Sequence, residues 1–274
     1  MNLFQALILG LIQGLTEFAP VSSSAHLVLV PWAFGWPAPG LPFDTMVHWG
    51  TLAALIAYFW RDWLGILAGF LRSLIHSRSA SARLATPESR LAWWLILGTL
   101  PAAVIGYAFE SFFESLFSNP TAVGAFLLLT ALILVVSERL GRRIRAVDEL
   151  RWPDALLIGL AQAAAICPGL SRSGATIAAG LGRGLTREAA ARFSFLLATP
   201  AILGAGLLQL LELTRSAQLG QMLPVLAVGF LSAAVAGYLC IKFLLAYLRK
   251  GRLYGFAAYC ALAGGATLIA IALS

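Results

Sequence analysis

Ala155-Leu-Leu-Ile-Gly-Leu-Ala-Gln-Ala-Ala-Ala-Ile166 is an apolar run that stops well short of a bilayer's width. It breaks into Cys167-Pro-Gly-Leu-Ser-Arg-Ser-Gly-Ala-Thr176 and then resumes as far as Leu181. A helix needs roughly 20 apolar residues to cross the hydrocarbon core, so this segment reads as two half-length helices joined by a polar, proline-containing break. At membrane depth such a break is tolerated only where protein buries it or it lines a wet cavity. The N-terminal stretch has the same form. Asn2–Phe18 leads into Pro20 and Ser22-Ser23-Ser24, then a second short run ends at Phe34. Both segments, 2–35 and 154–182, are therefore expected to be re-entrant hairpins.

The remaining sequence agrees with a membrane setting. Of 274 residues, 60% are hydrophobic and 11% charged, whereas a soluble domain carries about a quarter charged; a soluble globular domain is excluded. Cys167, Cys240 and Cys260 are odd in number and far apart, which excludes a disulfide-stapled secreted scaffold. Six stretches are long enough to span: Phe43–Trp60, Leu91–Phe109, Ala122–Ser137, Ala189–Leu211, Gln221–Leu248 and Leu253–Leu273. The expected fold is an all-α polytopic membrane protein, six transmembrane helices plus two hairpins, in one domain over 1–274. No basic residue precedes the first apolar run and no small-residue cleavage site follows it, so no removable signal peptide is expected.

The net charge of +7 marks loops rather than a nucleic-acid partner. Arg61, Arg72, Arg78, Arg83 and Arg90 follow the first span; Arg139, Arg142, Arg143, Arg145 and Arg151 follow the third. Arg183, Arg187 and Arg192 follow the second hairpin, and Arg249, Lys250 and Arg252 precede the last span. Alternating topology puts all of these on one side, against Glu110, Glu114 and Arg215 on the other. The positive-inside rule makes the arginine-rich side cytoplasmic and turns both termini outward. Trp60, Trp63, Trp93, Trp94 and Trp152 fall where an aromatic belt is expected.

The two halves resemble each other. Gly98-Thr-Leu-Pro-Ala-Ala-Val-Ile-Gly-Tyr107 and Gly229-Phe-Leu-Ser-Ala-Ala-Val-Ala-Gly-Tyr238 agree at seven of ten positions, and Gly10-Leu-Ile-Gln13 matches Gly159-Leu-Ala-Gln162. Each half, 1–147 and 148–274, holds one hairpin and three spans. An odd number of spans turns the second half over, which predicts an inverted-topology repeat with its hairpins meeting near the midplane.

Ionisable residues at that depth are costly and mark function. The first hairpin offers Gln13, Glu17, Ser22, Ser23, Ser24 and His26. Gln13 and Glu17 lie four apart on one helix face, and Ser23 and His26 share a face if helix resumes after the serines. The second offers Ser171, Arg172, Ser173 and Thr176, where a glycine-bearing loop opens a helix and presents backbone N–H groups suited to phosphate. Arg172 adds a planar, two-pronged donor. An anion clamp, hydroxyls, an imidazole and a carboxylate are the parts of a phosphoryl-transfer site. A Glu17–Arg172 pair that merely welds the hairpins would leave His26 and the hydroxyls unexplained. Asp44 and His48, at the outer start of a span, are expected to be interfacial. Glu212 ends its span at the outer interface, and His76 falls in an arginine-rich loop.

Gln13-x-x-x-Glu17, Pro20-Val-Ser-Ser-Ser-Ala-His26 and Pro168-Gly-Leu-Ser-Arg-Ser-Gly-Ala-Thr176 resemble, in order and across the whole chain, the motifs of the undecaprenyl-diphosphate phosphatase family, also called bacitracin resistance proteins. The resemblance implies hydrolysis of a C55 isoprenoid diphosphate to monophosphate and inorganic phosphate. This would recycle the lipid carrier of peptidoglycan synthesis at the outer side of the bacterial plasma membrane, confer bacitracin resistance, and use a divalent cation, Mg2+ or Ca2+. Where some members carry a first glutamate this chain has Gln13, so Glu17 carries the charge alone.

On residue types, Glu17, Ser23, His26 and Arg172 are the expected catalytic residues. Gln13, Ser22, Ser24, Ser171, Ser173 and Thr176 are expected to bind substrate, and Glu17 with Gln13 to hold the cation. Arg172, the hydroxyls and local N–H groups would grip the diphosphate. Ser23 would attack after losing its proton to His26; alternatively His26 activates water, or is itself the nucleophile. The competing class is a secondary transporter or lipid flippase, because inverted repeats with broken helices and a midplane charge pair describe those as well.

Overall fold

The structure, a computed structural model, describes residues 1–75, 83–215 and 219–273. His76 and Arg78 lie outside the described residues, as do the side chains of Glu212 and Arg215. Twelve α-helices are found among the described residues: α1 (Leu3–Phe18), α2 (Ser23–Phe34), α3 (Leu41–Tyr58), α4 (Trp60–Ile75), α5 (Pro87–Ala108), α6 (Glu110–Phe117), α7 (Pro120–Leu140), α8 (Trp152–Ala164), α9 (Arg172–Gly182), α10 (Arg187–Arg215), α11 (Leu219–Leu248) and α12 (Tyr254–Leu273). Five of them, α5, α7, α10, α11 and α12, are long and apolar enough to cross a membrane. The chain is a multi-pass membrane protein.

The expected first span, Phe43–Trp60, ends differently. Helix α3 stops at Tyr58 and α4 leaves it at an angle of 79°. A sixth span exists only if this bent pair is counted as one. The bend falls where Phe59 leaves helical geometry, just before the charged pair Arg61-Asp62 in the first turn of α4. Helix α4 then exposes Trp60, Leu64, Leu67, Leu71 and Leu74 along one side, a three-four spacing that makes one apolar stripe. The short helix α6 was not among the expected elements.

Small residues let the helices approach closely, as helix association in lipid requires. Helix α1 lies along α11 and α8 lies along α5. A Cβ added to Gly10 would come within 2.6 Å of Gly229 O, and one on Gly159 within 2.4 Å of Gly98 O. The matched sequence segments therefore touch crosswise: α1 rests on α11 at Gly10 and Gly229, and α8 rests on α5 at Gly159 and Gly98.

The four basic segments meet at one end of the molecule. Asp154, fully buried, accepts from Arg145 Nη2 at 2.7 Å and Arg183 Nε at 2.6 Å. Glu138 takes Arg187 and the Leu253 amide, Arg192 pairs with Asp62, and Arg249 pairs with Glu188. These bonds tie the start of α4 and the segments after α7, α9 and α11 into one network.

Candidate active site

The site forms where the two broken segments face each other. Helix α1 is well started: Asn2 caps it, with Gln5 reaching back to the Asn2 amide. It ends at Phe18 because Pro20 has no N–H to continue the ladder and disfavours helix at Ala19, which sits at ψ 137°. Ser22 then caps α2 through its side chain to the Ala25 amide. Its backbone takes φ +68°, ψ +93°, a region that costs a non-glycine residue about 1–3 kcal/mol.

The second break is held from outside. Thr130, buried on α7, donates to Gly169 O at 2.9 Å and accepts from the Ser171 amide at 3.0 Å. Gly169 has φ +98°, and a Cβ there would meet Val123 O at 2.3 Å, so only glycine serves. Ser171 caps α9 at the Gly174 amide, which puts Arg172 at the first helical position. Ser173 Oγ donates to Ala19 O at 3.0 Å, joining the two breaks directly.

Between them lies a compact polar cluster. Arg172 Nη2 donates to Glu17 Oε1 at 2.5 Å. Ser23 Oγ donates to Glu17 Oε2 at 2.5 Å, and Gln13 Nε2 donates to the same oxygen at 2.9 Å. Gln13 is fully buried and Glu17 and Ser23 nearly so. Among the described residues, Arg172 Nη1, Gln13 Oε1 and Asp44 Oδ1 are buried without a hydrogen-bond partner. Unpaired buried polar atoms are costly. Arg172 Nη1 is thus one prong of a fork whose other prong already grips Glu17.

The structure brings together Gln13, Glu17, Ser23 and Arg172 from the expected set, and gives the others different surroundings. Ser22 and Ser24 pair with each other at 3.2 Å, as do Ser171 and Ser173. The Thr176 hydroxyl turns to Arg172 O at 2.7 Å and Ser194 Oγ at 2.6 Å. Ser23 makes its bond to Glu17 rather than to His26. His26 Nδ1 lies 2.7 Å from Ser22 O, and Nε2 lies 2.6 Å from the Tyr259 hydroxyl, whose ring it stacks on. A carbonyl only accepts, so Nδ1 carries the proton, and in the neutral ring Tyr259 donates to Nε2.

His48, expected at the interface, has its Nε2 3.7 Å from Glu17 Oε2 and donates from Nδ1 to Asp44 O at 2.7 Å. Helix α3 packs tightly on α11 beside α1, and that brings its first turns level with the end of half-length α1. The available signal was the polar row Asp44, Thr45, His48 and Thr51 inside an apolar span. Thr130 and Tyr259 carried no such signal.

A divalent cation has a limited set of protein oxygens here. Among the described residues no group of three or more His, Cys, Asp or Glu side chains could hold a metal. Gln13 Oε1 is a free buried acceptor beside Glu17, and that fits an ion carried largely by phosphate oxygens and water, the usual habit of Mg2+.

Comparison with known proteins gives this arrangement a family. The profile of the family described as Bacitracin resistance protein BacA matches residues 6–266. The chain belongs to the bacitracin resistance protein BacA family. Named undecaprenyl-diphosphatases resemble it over nearly their whole length. The Pelotomaculum thermopropionicum protein is 44% identical over 99% of this chain and 97% of its own. That of Desulforudis audaxviator is 43% identical over 100% and 99%, and that of Moorella thermoacetica 46% identical over 94% of each. Both motif-bearing breaks fall inside the part matched by the BacA family.

Proposed function

We propose that this chain is an undecaprenyl-diphosphatase, hydrolysing undecaprenyl diphosphate to undecaprenyl phosphate and inorganic phosphate and so conferring bacitracin resistance. One observation carries the reading. In a BacA-family chain, Arg172 holds Glu17 with one nitrogen and keeps the other buried and free, beside a serine hydroxyl already bonded to that carboxylate.

The mechanism follows from those groups. Arg172 Nη1 takes a terminal phosphoryl oxygen and stabilises the charge that builds there. Ser171, Ser173 and the first-turn amides of α9 complete the cradle, with Ser22 and Ser24 bordering it. Ser23 Oγ attacks the terminal phosphorus while its proton passes to Glu17 Oε2. The bond to the bridging oxygen breaks and undecaprenyl phosphate departs. Water then attacks phosphoserine, releasing phosphate as Glu17 returns the proton to Ser23 Oγ. A divalent cation, Mg2+ or Ca2+, held by Gln13 Oε1 and Glu17, would neutralise charge across the two phosphates. The polyprenyl tail lies among the apolar helices, which accounts for a phosphatase sited in lipid.

The proposed architecture is an inverted-topology repeat, 1–147 and 148–274, whose re-entrant hairpins meet near the midplane. Its support is the crosswise Gly10–Gly229 and Gly159–Gly98 packing. The joined basic end is proposed to face the cytoplasm of a bacterial plasma membrane, with both termini outside, on the positive-inside rule. Carrier recycling for peptidoglycan synthesis belongs to the same proposal.

The test is phosphate release from undecaprenyl diphosphate by purified protein in detergent, where no gradient exists. Release by wild type, lost in Glu17→Ala, is the expected result. A folded wild type that releases none would turn the reading to transport.

A further inference from the structure

His26 does not face Ser23, yet it is tied down at both ring nitrogens. Nδ1–H donates to Ser22 O, the carbonyl of the one residue in the first break with a positive φ, and the Tyr259 hydroxyl closes on Nε2. The next residue of the same helix, Cys260, directs its thiol to Pro20 O at 3.6 Å. Helix α12 thus reaches the first break directly through Cys260 and indirectly through Tyr259 and His26, while Thr130 of α7 contacts the second break at Gly169 and Ser171. Helices α7 and α12 pack along each other, so the two breaks are steadied by one rigid pair.

We propose that Tyr259 is a positioning residue of the phosphatase reaction: through His26 it holds Ser22 in its positive-φ turn and so keeps Ser23 Oγ aimed at Glu17. The tyrosine acts 233 positions away in sequence and touches no reacting atom. His26 serves here as a brace, its proton spent on a carbonyl. This rests on the phosphatase reading above.

The experiment measures phosphate release from undecaprenyl diphosphate in detergent, with thermal unfolding, for wild type, Tyr259→Phe, His26→Ala and His26→Asn. Asparagine places a donor the same number of bonds from the backbone as Nδ1, but has no ring nitrogen to carry a proton at neutral pH. Tyr259→Phe is expected to lower kcat about 10-fold, the worth of one hydrogen bond, with KM within about twofold and the unfolding temperature little changed. His26→Asn is expected to recover most of what His26→Ala loses and to keep the wild-type pH profile. Full activity in Tyr259→Phe, or a His26→Asn variant as dead as His26→Ala, overturns the proposal while the phosphatase reading stands. An inactive wild type overturns both.

Discussion

Replacing Arg172 with lysine separates its two duties. The wild-type guanidinium gives Nη2 to Glu17 at 2.5 Å and keeps Nη1 buried and free. Lysine retains the positive charge on a single nitrogen, so it can neutralise Glu17 or reach phosphate but not hold both in one fixed plane. The folded state keeps its compensated ion pair, and stability should fall by no more than about 1 kcal/mol. The transition state loses one preorganised, charge-assisted donor, worth about 3–4 kcal/mol, or a 10²–10³-fold fall in kcat. Arg172→Ala should behave differently. It also leaves Glu17 buried and unpaired, at about 3–5 kcal/mol, and should lower the unfolding temperature sharply. The assay is phosphate release under saturating substrate with a parallel thermal melt of each variant. A lysine variant with more than about a fifth of wild-type kcat, the signature of an effect under 1 kcal/mol, would refute the two-pronged role. So would equal destabilisation by lysine and alanine.

Three further outcomes are expected. Thr130→Val keeps the shape but strands Gly169 O and the Ser171 amide, costing about 1–3 kcal/mol in stability together with activity, and Thr130→Ser should restore both. His48→Leu removes a group 3.7 Å from Glu17 Oε2, and a 5–30-fold loss of kcat, about 1–2 kcal/mol, checks its place in the site. At the basic end, burial pushes the Asp154 carboxyl up, but hydrogen bonds from Arg145, Arg183 and the Arg151 amide outweigh it and hold the carboxyl below the usual range. Its stabilisation is therefore full at neutral pH and lost only as pH falls below the ordinary carboxylate range. The stability gap between wild type and Asp154→Asn, read from thermal melts, should stay constant from pH 8 to about pH 5 and close at still lower pH.

Much of the architecture could be read along the chain because lipid imposes local rules. Span length, the prolines at Pro20 and Pro168, and the arginine-rich loops each report on a few neighbouring residues. Glu17 and Arg172 were legible for the same reason, since charge in an apolar run demands a partner, and Gln13 was legible as the polar residue on the helix face of Glu17. What stayed hidden depends on helices far apart in sequence. The approach of His48 to Glu17 could not be read because nothing local says that α3 sets its first turns beside the end of α1. Ser23 and His26 share a helix, yet the Ser22 carbonyl and Tyr259 claim the imidazole, and only packing against α12 reveals that. Helix α4 was missed because Arg61 and Asp62 read as the start of a polar loop, and nothing local says that helix resumes there after a 79° turn.

The central step we propose is transfer of the terminal phosphoryl group to Ser23, and trapping the covalent species tests it most directly. Protein mixed with undecaprenyl diphosphate, quenched in acid within a turnover and digested, should yield a peptide phosphorylated at Ser23, absent in Ser23→Ala. Active enzyme with no phosphoserine at Ser23, or with phosphate on His26 instead, would contradict it.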